Sequence, residues 1–217
     1  MLTFDFASDR TRPLRILCLG AHSDDIEIGC GGTILRLLSE HDDVEVHWVV
    51  LGSSGQRDGE AVASAGEFLA DATKKEVIVK NFRNGFFPYV GEEIKEFFET
   101  LKDRISPDVI FTHYRNDLHQ DHRLVSELTW NTYRNHLILE YEIMKYDGDL
   151  GSPNLFVHLD EATCRKKVAV ILDCFKTQRD HDWFTADAFW SLLRIRGIES
   201  KAPGKHAEGF HCRKVVL

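Results

Sequence analysis

The sequence predicts an α/β fold, a Rossmann-like three-layer α/β/α sandwich built on a mostly parallel sheet. Three observations predict it. Apolar, β-branched runs of strand length alternate with segments of helical periodicity, the order that builds parallel sheets. The first run, residues 16–19, passes through Gly20 into a polar turn and then a stretch holding Gly29, Gly31 and Gly32, with an apolar helical pattern at Ile34, Leu35, Leu37 and Leu38. Two clusters of histidine and aspartate also follow strands, at residues 22–25 and 119–122. In an open α/β sheet ligands are usually held at that edge.

Taken in order, residues 1–13 read as an arm ahead of the fold. Residues 44–51 (VEVHWVVL) form a second strand running into Gly52-Ser53-Ser54-Gly55, with Gln56 and Arg57 beyond it. A helix follows over about residues 60–70, because Ala61, Ala65, Phe68 and Leu69 share one face. Residues 77–79 make a short third strand. The loop at 81–90 (NFRNGFFPYV) gathers phenylalanines, a tyrosine and a proline, suited either to a sugar platform or to core and oligomer contacts. Helical periodicity over 91–105 stops near Pro107. Residues 108–112 are a fourth strand, followed by a helix from 120 to about 134. Beyond His136 the pattern is weaker: strands at 137–143 and 155–157 flank the turn DGDLG, helices span about 161–175 and 183–195, and 212–217 return to the sheet edge. His206, Glu208 and His211 fall in no periodic segment. No repeat or linker interrupts the 217 residues, so residues 1–217 read as one domain with a less regular part at 136–217.

Composition narrows the function. The chain is 43% hydrophobic and 29% charged, with no apolar run long enough to cross a bilayer. Its first residues lack the basic and apolar regions of a secretory signal. Five cysteines, an odd number with no CxxC pair, argue against a disulfide framework and for a reducing cytoplasm. A formal net charge of -8 disfavours nucleic acid as a partner. Self-association into a homo-oligomer is not legible.

Eleven histidines are the compositional oddity, and their spacing decides their meaning. His41, His47, His136 and His158 stand alone and read as structural. His22-Ser23-Asp24-Asp25 and His119-Gln120-Asp121-His122 do not. An imidazole and two adjacent carboxylates at a strand exit are costly to desolvate without a divalent cation. An Asp pair at a helix start otherwise serves as a cap. Two such clusters supply more ligands than one metal needs, leaving carboxylates and imidazoles for acid–base work. A dinucleotide site is disfavoured because no G-x-G-x-x-G follows the first strand. A serine hydrolase is disfavoured because residues 52–55 are not a G-x-S-x-G elbow.

The two motifs together resemble the PIG-L/LmbE-like zinc-dependent N-deacetylases, which include enzymes acting on N-acetylglucosaminyl-phosphatidylinositol and on GlcNAc conjugates. That family's A-H-P-D-D-x-E and following glycine pair are matched by Ala21-His22-Ser23-Asp24-Asp25-Ile26-Glu27 and Gly31-Gly32, and its H-x-D-H by His119 to His122. Ser23 replaces the usual proline, which loosens the loop but removes no ligand. The resemblance is clear to about Arg134. It implies a hydrolase removing an N-acetyl group from an N-acetylglucosamine-type sugar or conjugate. Zn²⁺ would be held by His22, Asp25 and His122, a donor set that also accepts Fe²⁺ or Co²⁺. Asp24 would be the general base. His119 would be the cationic oxyanion stabiliser and proton donor, with Asp121 holding its imidazole. Arg57, followed by Glu60 and Ala61, would contact substrate. The competing readings are a zinc amidase acting on a larger amide or thiol conjugate, and a non-catalytic metal-binding protein.

Overall fold

The computed structural model describes residues 12–216, so most of the N-terminal arm lies outside the described residues. Among the described residues, seven strands form one sheet in the order β3-β2-β1-β4-β5-β7-β6. β1 (Leu14–His22), β2 (Val44–Gly52), β3 (Lys74–Val79), β4 (Val109–His113) and β5 (Leu137–Tyr141) run parallel, as the alternation of strands and helices predicts. β1 lies at the centre because both faces of its apolar run are covered; Ile16 to Leu19 are fully buried. Chain order reverses there, since β2 pairs on one side of β1 and β4 on the other. The exits of β1 and β4 therefore flank the switch point at which α/β sheets hold ligands.

Helices cover both faces. α1 (Asp25–Glu40), α2 (Gln56–Phe68), α5 (Glu161–Cys174) and α6 (Ala186–Glu199) pack over one apolar cluster holding Trp48, Phe68, Tyr141 and Phe210. α3 (Gly91–Arg104) and α4 (Gln120–Thr132) close the other, around Leu17, Leu19, Phe98 and Ile110. This is the three-layer arrangement the sequence predicts. Among the described residues, no helix is long and apolar enough to cross a membrane.

The differences from expectation have local causes. α1 starts at Asp25 and runs straight through the glycines. Those glycines are where other elements press on the helix: a Cβ at Gly29 would enter the Tyr141 ring, and one at Gly31 would lie 2.6 Å from Phe68. α2 starts four residues earlier than predicted, at Gln56. α6 starts later, where the Thr185 hydroxyl accepts from the Ala188 N–H at 3.3 Å and caps it. The last strand is the largest correction. β7 is His206–Cys212 rather than 212–217, and it is inserted antiparallel between β5 and β6 (Leu155–Leu159) instead of lying at the sheet edge. Its burial explains the irregular sequence, because Glu208 points into a polar contact: its carboxylate accepts from Gly32 N–H (2.9 Å) and Thr33 N–H (2.7 Å) of α1 and pairs with Lys167 of α5. All five cysteines are free thiols.

Candidate active site

The loops that leave β1 and β4 at the carboxyl edge of the sheet supply one buried polar cluster. β1 ends on His22, and Asp24 and Asp25 open α1 immediately after it. β4 ends on His113, and the loop after it supplies Asp117 and then His119, the N-cap of α4, with Asp121 and His122 in that helix's first turn. His22, Asp24, Asp25, His113, Asp117, Asp121 and His122 are all at most 7% exposed.

Within the cluster, His22 Nδ1 lies 3.0 Å from His122 Nε2 and 3.4 Å from Asp25 Oδ2, while His122 Nε2 lies 3.5 Å from Asp25 Oδ2. Zinc bound tetrahedrally at roughly 2.0–2.2 Å from nitrogen and oxygen separates neighbouring ligand atoms by about 3.4 Å. The outer nitrogens are taken by carboxylates. His22 Nε2 is 3.2 Å from Asp121 Oδ2, and His122 Nδ1 is 2.9 Å from Asp117 Oδ2. Each carboxylate favours a ring that donates outward and turns its other lone pair inward, the arrangement that orients metal-ligating histidines. Two inward lone pairs beside a buried carboxylate repel one another unless a cation or proton lies between them. The donors therefore fit a divalent ion. Donor atoms within 4.8 Å of one another form two groups, His22–His119–His122 and Asp25–His113–His122, which share His122.

The electrostatics point the same way. Burial alone would lower the His22 pKa, but the carboxylates of Asp25 and Asp121 outweigh it and hold the ring at about 9. That affinity for a proton measures how strongly the spot attracts positive charge. Burial, reinforced by the neighbouring His113, pushes His122 down to about 3. Burial works against ionisation of Asp25, yet His122, His113 and His22 together hold its carboxyl well below the usual range.

Asp24, next to Asp25 in sequence, is buried as well. Burial and the adjacent Asp25 raise its pKa, opposed by Arg57. Arg57 Nη2 donates to Asp24 Oδ1 at 3.0 Å, while Asp24 Oδ2 is buried without a hydrogen-bond partner. The Arg57 side chain is 24% exposed, so it is not a freely solvated surface arginine. Ser23, in place of the family's proline, is fully buried and donates to Ser53 Oγ at 2.9 Å, tying the exits of β1 and β2 by a bond proline cannot make.

The expected Asp121–His119 pairing is not among the side-chain hydrogen bonds of the described residues. The Asp121 carboxylate accepts from Gly85 N–H (2.6 Å) and Phe87 N–H (3.1 Å) and meets His22 Nε2. His119 is instead held by the backbone, its Nδ1 accepting from the Asp121 N–H at 3.2 Å. Burial and the nearby His22 lower its pKa, opposed by the carboxylates of Asp121, Asp25 and Asp117. The aromatic loop divides. Phe87 is buried with its ring centroid 6.0 Å from that of His22, while Phe86 and Tyr89 are 38% and 77% exposed.

Two residues of the cluster received no role in the sequence reading. His113 Nε2 accepts from the Ala21 N–H at 2.9 Å and lies 3.2 Å from Asp25 Oδ2, with its ring stacked on His122 at 3.9 Å. Asp117 is the carboxylate behind His122. The available signals were a histidine directly at a strand end and an aspartate two positions before a motif histidine.

Comparison with known proteins agrees with this geometry. The chain is 31% identical over 119 residues to the uncharacterized deacetylase YaiS of Escherichia coli K12, a match covering 51% of this chain and 63% of that protein, less than two thirds of its length. Among solved structures, the conserved protein TT1542 of Thermus thermophilus superposes with a TM-score of 0.73 at 21% identity, covering 94% of this chain and 96% of that one. The N,N'-diacetylchitobiose deacetylase of Pyrococcus horikoshii gives 0.69 at 20% identity, covering 97% and 87%. The 4-carboxy-2-hydroxymuconate hydratase GalB of Pseudomonas putida KT2440 gives 0.70 at 17% identity, covering 94% and 98%, so the fold alone does not fix the reaction. A family model described as PIG-L, GlcNAc-PI de-N-acetylase, matches residues 17–133. That span is more than half of the chain and holds every residue of the buried cluster, and the chain therefore belongs to the PIG-L deacetylase family.

Proposed function

We propose that this protein is a metal-dependent hydrolase that removes an N-acetyl group from an N-acetylglucosamine-type sugar or sugar conjugate, acting as one domain over residues 1–217. The observation that carries the reading is the approach of His22 Nδ1, Asp25 Oδ2 and His122 Nε2 to within 3.0–3.5 Å, with an unpaired carboxylate oxygen of Asp24 beside them. His22, Asp25 and His122 would hold the ion, zinc by preference and Fe²⁺ or Co²⁺ by the same donor chemistry. A bound zinc would supply Lewis-acid polarisation of the scissile amide carbonyl and ease deprotonation of the attacking water.

The chain's own residues do the rest. Asp24, held by Arg57 on Oδ1, takes the proton of the attacking water on its free Oδ2. His119, its Nδ1 accepting from the Asp121 N–H, uses Nε2 to donate a hydrogen bond to the oxygen that gains charge as the carbonyl carbon becomes tetrahedral. The proton held on Asp24 passes to the amine nitrogen as the C–N bond breaks, giving acetate and a free amino sugar. Asp121 acts by orienting His22, and Arg57 by orienting Asp24 while its remaining donors serve the substrate.

The test is acetate release from a panel of N-acetylglucosamine, N,N'-diacetylchitobiose and N-acetylated conjugates. Activity is expected to vanish on chelation and return with zinc. A zinc-loaded protein that releases acetate from none of them while hydrating a carbon–carbon double bond, as the name of GalB suggests of that neighbour, would overturn the proposal.

A further inference from the structure

Lys145 lies in the loop between β5 and β6, beyond the segment that the family model matches, and no step above uses it. Its side chain is only 10% exposed, and a buried ammonium is costly unless it is paired. Its Nζ is 3.0 Å from Asp117 Oδ2, the same oxygen that receives His122 Nδ1 at 2.9 Å. The other Asp117 oxygen accepts from the His119 N–H at 2.8 Å. Lys145 also pairs with Asp149 of its own loop, and Asp149 in turn accepts from the Leu118 N–H. One ammonium thus stitches two loops together and supplies the counter-charge of the carboxylate that aligns His122. Asp117 is 2% exposed, so without Lys145 its charge would face only a neutral ring and a backbone N–H.

We propose that Lys145 is a positioning residue for the reaction, acting through Asp117 to fix the orientation in which His122 presents Nε2 to the inner cluster. The inference rests on the reading above in one respect, that His122 holds a metal. It predicts that the length and charge of residue 145 set metal affinity although the residue touches neither metal nor substrate.

The experiment measures zinc affinity by chelator competition, and the visible spectrum of the cobalt-loaded protein, for wild type, Lys145→Met, Lys145→Arg and Asp117→Asn, each checked for folding by circular dichroism. Outer partners of metal-bound histidines are typically worth about 10–100-fold in affinity, so Lys145→Met is expected to bind zinc about 10–100-fold more weakly with an altered cobalt spectrum. Lys145→Arg, which keeps the charge, is expected to recover most of the loss. In an Asp117→Asn background the effect of Lys145→Met should largely disappear, because the two residues act as a pair. Should Lys145→Met fail to fold, Lys145→Gln is measured in its place. Unchanged zinc affinity and an unchanged cobalt spectrum, or fully additive effects of the two substitutions, would overturn the proposal. A wild type that binds zinc tightly while the variant binds equally well removes only Lys145's role. A wild type that binds none removes the metal reading as well.

Discussion

At Asp121, a carboxylate two positions from His119 in sequence turns out to serve His22, 99 residues away. The reason is the first turn of α4. There the Asp121 N–H caps back onto His119 Nδ1 while the side chain projects toward the exit of β3, where Gly85 and Phe87 offer N–H groups. The two pairings predict different behaviour. If Asp121 oriented His119, Asp121→Asn would reduce turnover with metal binding intact. Because it backs His22, the expected outcome is a loss of zinc affinity of about 10–100-fold, read by chelator competition. His119→Ala should do the reverse, retaining zinc and lowering kcat by roughly 10²–10³-fold, the usual scale for removing one oxyanion donor. Retention of full zinc affinity by Asp121→Asn would restore the pairing suggested by the motif. The two His–Asp clusters were legible because strand exits and paired His–Asp spacing are sequence-local. Which carboxylate faces which ring was not, since a spacing of two on a helix start does not say where a side chain points. Lys145 and Asp117 were illegible for a related reason: they lie far apart along the chain, and only the packing of two loops brings them within 3.0 Å.

Among the elements, strands β1 to β5 and the helices between them could be read from periodicity because each is a local apolar pattern. β7 could not. Its sequence, HAEGFHC, places a charged Glu208 at a buried position, which looks like a loop until Lys167 and the N–H groups of Gly32 and Thr33 are brought beside it. This contact joins α1, which opens with Asp25, to α5 and β7 of the less regular C-terminal part. Glu208→Gln would leave Lys167, only 4% exposed, without its counter-charge. Breaking one side of a buried pair costs about 3–5 kcal/mol, so urea midpoints should fall accordingly. A shift below about 1 kcal/mol would mean that water reaches the pair. At the opposite end of the sheet, Asp108 accepts both Arg12 nitrogens at 2.7 and 2.8 Å and the Arg15 N–H at 2.9 Å. Burial opposes its ionisation, but these donors hold its pKa below the ordinary aspartate value. A carboxylate lowered on folding stabilises above its unfolded pKa of about 3.9, and the benefit disappears as pH falls through the folded value. Asp108→Asn should therefore be less stable than wild type by about 1 kcal/mol at pH 7, with the gap closing as the pH falls from about 3.9 through the lower folded value. A gap that persists unchanged in acid would assign the effect to packing instead.

For the whole molecule, the cluster joins parts of the chain that local structure leaves separate: the exit of β1 and start of α1, and the start of α4 some hundred residues later, with β3 and β5 loops fastened behind them through Asp121 and Asp117. The unfolded chain has no such grouping, so an ion held by His22, Asp25 and His122 would bind only the folded state and stabilise it by mass action. At an ion concentration of about 100 times the dissociation constant the gain is about 2.7 kcal/mol, which in a chain of this size raises Tm by roughly 5–10 °C. Zinc is therefore expected to raise the melting temperature progressively with concentration, and chelation to return it to a fixed lower value. His122→Ala should lack the response. This pairing is informative because catalysis plays no part in it. A melting temperature indifferent to zinc in the wild type, at concentrations that fill known zinc chelators, would mean that the 3.0–3.5 Å approach of these three side chains is closed by a shared proton rather than by a metal.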